Sequence, residues 1–357
     1  MKIIAIMLTR IIAVRFIAVL LGISIFVLSL DVISYSTEIL ALKPGDSWIV
    51  AQYLVARAPG VIATFLPISM LLAMLLALTE LSYRNEITAL WSAGLSPFRV
   101  VVLLLPIAVV VGGINFFLND RAIPLAAPQL RAWGVGDYGK EKLKIGERDP
   151  IWMRSGTDII RAASASADST QLKDVILFRR DADGILLEQV FAESATLVKG
   201  RWELDNAIVY YRDNQEPSKL ATLIYSGPMK PASAGGRSGD PEEMSLADLS
   251  YFIENSGFGI RPVWVYTTWW HKRISLILSA LLMISLCVPM MTRFRRGGGL
   301  GMLFVAGVGL GFLYFVVDGI SLTMGELGFV TPWLAAWTPT AGFGALAAMM
   351  AFRAERV

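Results

Sequence analysis

Residues 58–79 read APGVIATFLPISMLLAMLLALT, 22 positions without a charged side chain. At 1.5 Å per residue, a helix of this length covers about 33 Å, enough to cross the hydrocarbon of a bilayer. Four more uncharged runs of comparable length lie at 100–119, 274–292, 297–317 and 327–352. A sixth, at 16–30, has 15 residues and reaches span length if Arg15 snorkels to one interface and Asp31 sits near the other. Six membrane-spanning helices are expected.

The polar residues sit between these runs. The 357-residue chain is 55% hydrophobic and 17% charged, with a mean hydropathy of +0.58. Of its 61 Asp, Glu, Lys and Arg residues, 41 lie between Asp120 and Arg273. No soluble globule distributes charge in this way, whereas membrane helices flanking one water-exposed domain do. A net charge of +3 is too small and too scattered to suggest nucleic acid. With one cysteine, Cys287, and one histidine, His271, zinc hydrolases, Cys/His hydrolases and iron–sulfur proteins are excluded. No metal and no cofactor are expected.

Orientation follows from the flanking basic residues. With the N-terminus in the cytoplasm, the inner segments hold Lys2, Arg10, Arg15, Arg84, Arg99, Arg293, Arg295, Arg296, Arg353 and Arg356. The short outer loops hold only Lys43 and Arg57. Both termini are therefore expected inside and the polar insert outside. No small-residue cleavage site follows Leu30, so the first span reads as an uncleaved anchor.

The insert reads as short strands at 151–153, 158–161, 175–178, 185–190, 196–198 and 208–211, rich in β-branched and aromatic residues. Asp183-Gly184 and Gly200 supply turns. The pattern predicts an all-β sandwich or jelly roll. Residues 231–243 read as a flexible link, and Ser245 with Asp248 as the start of a short helix ending near Gly257. The expected organisation is 1–119, spans one to three; 120–265, the β-rich domain; and 266–357, spans four to six.

Several motifs carry candidate chemistry. Gly134 to Glu141 has the spacing of a phosphate loop, but Glu141 stands where Ser or Thr would hold magnesium, and no buried strand leads into it. On a helix, Ile87, Leu90, Trp91 and Gly94 form an apolar stripe with Glu86 beside it, within the segment 83–97 joining spans two and three. Such a helix either lies on the inner leaflet or plugs into a groove on a cytoplasmic partner. In the fifth span, Gly307 and Gly311 form a small-xxx-small pair, suited to static packing or to a movable helix contact that gates the way to lipid, and Asp318 falls near the outer interface. Beside the belt residues Trp269 and Trp270, His271, Lys272 and Arg273 run against the positive-inside trend and suit anionic head-group phosphates.

The layout of three spans, a β-rich insert and three spans resembles the LptF/LptG permease family of the lipopolysaccharide exporter. The resemblance extends to Arg84-x-Glu86 with Ala93-Gly94, to Trp270-His271-Lys272-Arg273-Ile274 and to Phe315-Val-Val-Asp318, the last nearer LptG than LptF. It implies an inner-membrane subunit of an ABC transporter in a Gram-negative bacterium, without an ATPase of its own. It also implies pairing with an LptF-like subunit and a cytoplasmic ATPase dimer. The pair would lift lipopolysaccharide from the membrane and pass it through a periplasmic jelly roll to a bridge protein, with Glu86 as the coupling carboxylate. The family's basic residues near the outer end of the first span have no counterpart in Val32-Ile33-Ser34-Tyr35-Ser36, so Lys43 is the nearest cation there. A membrane enzyme acting on lipid or cell-wall precursors, using Asp120, Asp318 or Glu326, is the rival reading, and a scaffold without transport is a third.

Overall fold

A computed structural model describes residues 2–86, 89, 92, 94–138, 151–165, 170–212, 216–227, 240–254, 261–293 and 300–355. Among them six helices are long and apolar enough to cross a membrane: Ile3–Ser34, Trp48–Tyr83, Leu105–Trp133, Val263–Met290, Gly301–Glu326 and Pro332–Ala354, hereafter spans 1 to 6. The chain divides into two compact units. One comprises Met1–Ser36, Ser47–Ile123 and Thr268–Val357; the other comprises Thr37–Asp46 and Pro124–Thr267.

The helices run past the uncharged stretches that reveal them. Span 2 begins ten residues before Ala58 and takes in Arg57, and span 5 continues beyond Asp318. Ionisable residues therefore sit within helices rather than at their ends. Spans 2 and 4 form the centre: 67% of the most apolar stretch of each is buried, against 17% in span 1 and 22% in span 5. The core joins Leu66, Met70, Met74 and Leu75 of span 2 to Met283, Ile284, Leu286 and Cys287 of span 4.

Spans 3 and 4 approach closely at Gly112 and Ile277, where span 4 departs from α-helical geometry. Span 3 contains a π-helical turn at Leu118–Ala122, and span 4 a 3₁₀ turn at Leu276–Leu278. A Cβ added to Gly112 would stand 2.1 Å from the Ile277 carbonyl oxygen, so only glycine fits against that backbone.

The second unit holds one six-stranded antiparallel sheet in the order β1 to β6: Ile151–Ser155, Asp158–Ala165, Gln171–Arg180, Leu186–Val198, Arg201–Tyr211 and Ser218–Tyr225. The all-β insert is as expected. Its described strands form a meander, each paired with its neighbour in sequence, whereas a jelly roll would require Greek-key crossings. Tight turns dictate this local pairing, with Gly156, Gly184 and Gly200 all at positive φ.

Two expected strands, 185–190 and 196–198, are one, and β6 was missed. The reason lies in the side-chain period. Buried positions step by three rather than two at Leu172/Val175, Ala192/Ala195 and Leu204/Ala207. The three steps lie side by side, and Asp174 and Asn206, with φ of 49° and 53°, interrupt the pleat of the outer two strands. Asn206 donates to Glu193 Oε2 at 2.7 Å across this row. The core, which includes Trp202 and Tyr225, thus draws on both parities of β3, β4 and β5: Leu172 with Leu177, Val190 with Ala195, and Leu204 with Val209. Tyr225 donates to Asp158 Oδ2 at 3.1 Å, and burial raises its phenol pKa. Beyond the sheet, the helix Leu246–Glu254 begins as expected, with Asp248 N–H donating to Ser245 Oγ at 3.2 Å. Residues 231–239 of the expected link lie outside the described residues.

Gly112→Ala should destabilise the helical unit by about 1–3 kcal/mol. Thermal unfolding in detergent should show a lower midpoint, while Gly113→Ala, whose Cβ would enter open space, leaves it unchanged. Equal midpoints for the two variants would refute the close-approach account.

Candidate functional site

A polar cluster runs through spans 3, 4 and 5. Lys272 Nζ donates to both oxygens of Asp318, at 2.5 and 2.6 Å, with the two side chains 9% and 18% exposed. Arg273, on the next position of span 4, is 1% exposed and donates to Asn119 Oδ1 at 2.7 Å. Asn119 in turn donates to Asn115 Oδ1 at 2.9 Å, and Asn115 to Ser279 Oγ at 3.2 Å. Helical spacing explains the chain of contacts, because Asn115 and Asn119 lie one turn apart on span 3, as Ser275 and Ser279 do on span 4. Lys272 and Arg273, being adjacent on a helix, reach different neighbours: span 5 for the first and span 3 for the second. Ionisable groups at such positions in apolar helices mark function or a helix-to-helix lock.

The remaining residues singled out from sequence have other partners. His271 is half-buried, its ring edge-on to Trp270 at 5.1 Å. Trp269 donates to Glu326 Oε1 at 2.6 Å. Lys43 is exposed in the turn after the helix Ser36–Ala41, and its carbonyl accepts from Asp46 N–H. Gly307 and Gly311 face Leu75 and Leu71 of span 2, at 2.6 and 2.7 Å from the nearest side-chain carbon to an added Cβ. Two glycines one turn apart thus receive two leucines one turn apart, and the small-residue face is filled from within the chain.

In the segment after span 2, Asn85 takes a left-handed conformation, φ 57°, and Glu86 starts a new helical stretch in which Ala89 N–H donates to Asn85 O. Glu86 is half-buried, and Gly94 has a φ of 78°. Ile87, Leu90 and Trp91 lie outside the described residues. In the phosphate-loop-like segment, Gly136 N–H donates to Glu38 Oε2 at 2.8 Å, so a carboxylate takes the donor that a phosphate would need. Residues 139–141 lie outside the described part. Of the carboxylates considered for enzymatic chemistry, Asp318 is held by Lys272, Glu326 by Trp269, and Asp120 lies 3.6 Å from Arg121.

Two further polar contacts join spans 1 and 2. At one end of span 1, Asp31 Oδ2 accepts from Tyr53 at 2.9 Å and from Arg57 Nε at 3.2 Å. Nearer the middle of span 1, Arg15 pairs with Glu80, which lies close to the end of span 2. From sequence, Arg15 and Asp31 read as span edges, and Arg15 also as an inner basic residue, with no partner assigned to either. The signal that was available was a lone charge on each neighbouring apolar helix, of opposite sign and at similar depth.

With this geometry in hand, comparison with known proteins is decisive. The model of the family described as lipopolysaccharide export system permease LptF/LptG matches residues 6–353. The chain belongs to the LptF/LptG family. It is 23% identical to lipopolysaccharide export system permease protein LptG of Haemophilus influenzae over 285 residues, 77% of each chain. It is 20% identical to LptG of Escherichia coli K12 over 300 residues, 82% of each. Six apolar helices and a β-rich insert therefore occur here in a member of a permease family, which gives the buried ion pair and the amide chain a setting within a transporter bundle.

Asp318→Asn leaves Lys272 without its counter-charge and should cost about 3 kcal/mol. Lys272→Met combined with Asp318→Leu should recover most of that loss in thermal unfolding. A double variant as unstable as Asp318→Asn would show that something other than the ion pair holds spans 4 and 5.

Proposed function

We propose that this protein is a transmembrane subunit of an ABC transporter that extracts lipopolysaccharide from the inner membrane and passes it to a periplasmic bridge. The observation that carries this reading is the family match over residues 6–353, which takes in the six apolar helices and the insert alike. Relatives named as lipopolysaccharide export permeases support the cargo, and LptG is the name on those at 20–23% identity. Both termini are cytoplasmic, and the insert, residues 120–265, is periplasmic, in keeping with the excess of basic residues in the inner loops.

Six helices are too few to enclose a glycolipid with many acyl chains, so an LptF-like counterpart completes the chamber. ATP is hydrolysed by a cytoplasmic ATPase dimer. Glu86, with Ile87, Leu90, Trp91 and Gly94, forms the segment that docks on it, the carboxylate meeting a basic residue in the groove. Lys43 and His271 offer accessible positive or protonatable groups to lipid head-group phosphates. Lys272 and Arg273 join them only when their bonds to Asp318 and Asn119 open, because in the closed bundle both are already engaged. Gly307, Gly311 and Asp318 set the packing of span 5, the helix whose displacement would open the chamber to lipid.

Reconstitution with the counterpart, the ATPase and lipopolysaccharide in vesicles tests the reading. The wild type should bring down the ATPase and release lipid only with ATP. Glu86→Arg should insert normally but lose coupled release by tenfold or more, about 1.4 kcal/mol or above in coupling. Undiminished release by that variant would remove Glu86 from the docking segment. Separately, Lys43→Gln should weaken stimulation of ATP hydrolysis by lipopolysaccharide about two- to fivefold, the size expected for one exposed charge. Unaltered stimulation would make Lys43 a bystander.

A further inference from the structure

We infer that Glu80 is a positioning residue that carries displacement of the segment after span 2 to span 1. The inference rests on the coupling role proposed above for that segment. Glu80 lies one turn before the end of span 2 and uses its two oxygens on different partners. Oε2 accepts from Arg15 of span 1, and Oε1 pairs with Arg84 at 2.9 Å. Arg84 is the residue at which span 2 ends: its N–H donates to Glu80 O, and Asn85 beyond it turns the chain through a left-handed conformation. A single carboxylate thus ties the joint of the coupling segment to a neighbouring helix.

Span 1 has few other holds. It packs along span 2, and only 17% of its most apolar stretch is buried. Besides this contact, Asp31 near its Ser34 end accepts from Tyr53 and Arg57 of span 2. Span 2 is therefore tied to span 1 near both of its own ends, at Tyr53 and Arg57 and at Glu80, and a push on the chain beyond Arg84 reaches the middle of span 1 through Glu80. Side chains this exposed, 23% for Arg15, 40% for Glu80 and 62% for Arg84, add little to folding stability. Their removal should change transmission while the helices stay assembled. Arg15 also donates to Ile11 O at 3.0 Å, which holds its guanidinium against span 1 so that a pull on it moves the helix and not the side chain alone.

The test uses the full complex with counterpart and ATPase in vesicles and reads lipid released per ATP hydrolysed. Glu80→Gln and Arg15→Glu should each lower that ratio about threefold. The exchanged pair Arg15→Glu with Glu80→Arg should recover at least half of the loss, because the contact is remade with its signs reversed. A role in folding alone would reduce the amount of complex without moving the ratio. An unchanged ratio in Glu80→Gln, or an exchanged pair no better than Arg15→Glu, overturns the inference. Failure of Glu80→Gln to bring down the ATPase also overturns it, by placing Glu80 in the docking surface. A wild-type complex that releases no lipid with ATP would instead defeat the coupling reading beneath it.

Discussion

An ionised or amide side chain enclosed by apolar helices has no water to bond with, and must find its partner on a neighbouring helix. That requirement organises the helical unit. Lys272 meets Asp318, Arg273 meets Asn119, and Asn115 meets Ser279, so span 4 is joined to span 5 on one side and span 3 on the other. Between helices surrounded by lipid, apolar burial gives little preference for one arrangement over another, because a lipid tail suits a leucine as well as another leucine does. Polar pairs and close backbone approaches therefore choose the register. The approach of Gly112 to Ile277 O and the seating of Leu71 and Leu75 on Gly311 and Gly307 complete the choice.

The same reasoning separates two groups of helices by what ties them. Spans 3, 4 and 5 share an inner network of amides and buried charges. Spans 1 and 2 share a more exposed contact, Arg15 with Glu80, and a more enclosed one, Asp31 with Tyr53 and Arg57. Deep contacts resist separation because parting leaves an uncompensated group in a low dielectric. A contact as exposed as that of Arg15 with Glu80 can exchange partners with water at small cost. A transporter bundle needs both kinds, one to hold its frame and one to let a helix follow a push.

The insert solves a different problem. Its sheet buries one face and is wet on the other, so strict alternation would be expected along each strand. The aligned interruption at Asp174, Glu193 and Asn206 shifts the buried parity on three neighbouring strands together. Since the three shifts coincide, the register of pairing is kept while the identity of the inward residues changes. An alternation rule applied to Leu186–Val198 alone sees two short strands where the chain forms one.

Composition and order determined the membrane character, the six spans and the place and class of the insert, because each depends on runs of apolar residues that stand out without knowledge of their neighbours. The stripe expected beside Glu86 rests on the helical period alone, and its Ile87, Leu90 and Trp91 lie outside the described residues. What the sequence could not supply was partnership. Whether Lys272 faces a lipid phosphate or Asp318, 46 residues away, is a question of which helix packs on which. So too are the pairing of Arg15 with Glu80 and the burial of Arg273 against Asn119. Only the tertiary structure decided these, because the energy of a charge in an apolar bundle is set by the atoms brought beside it and not by its neighbours along the chain.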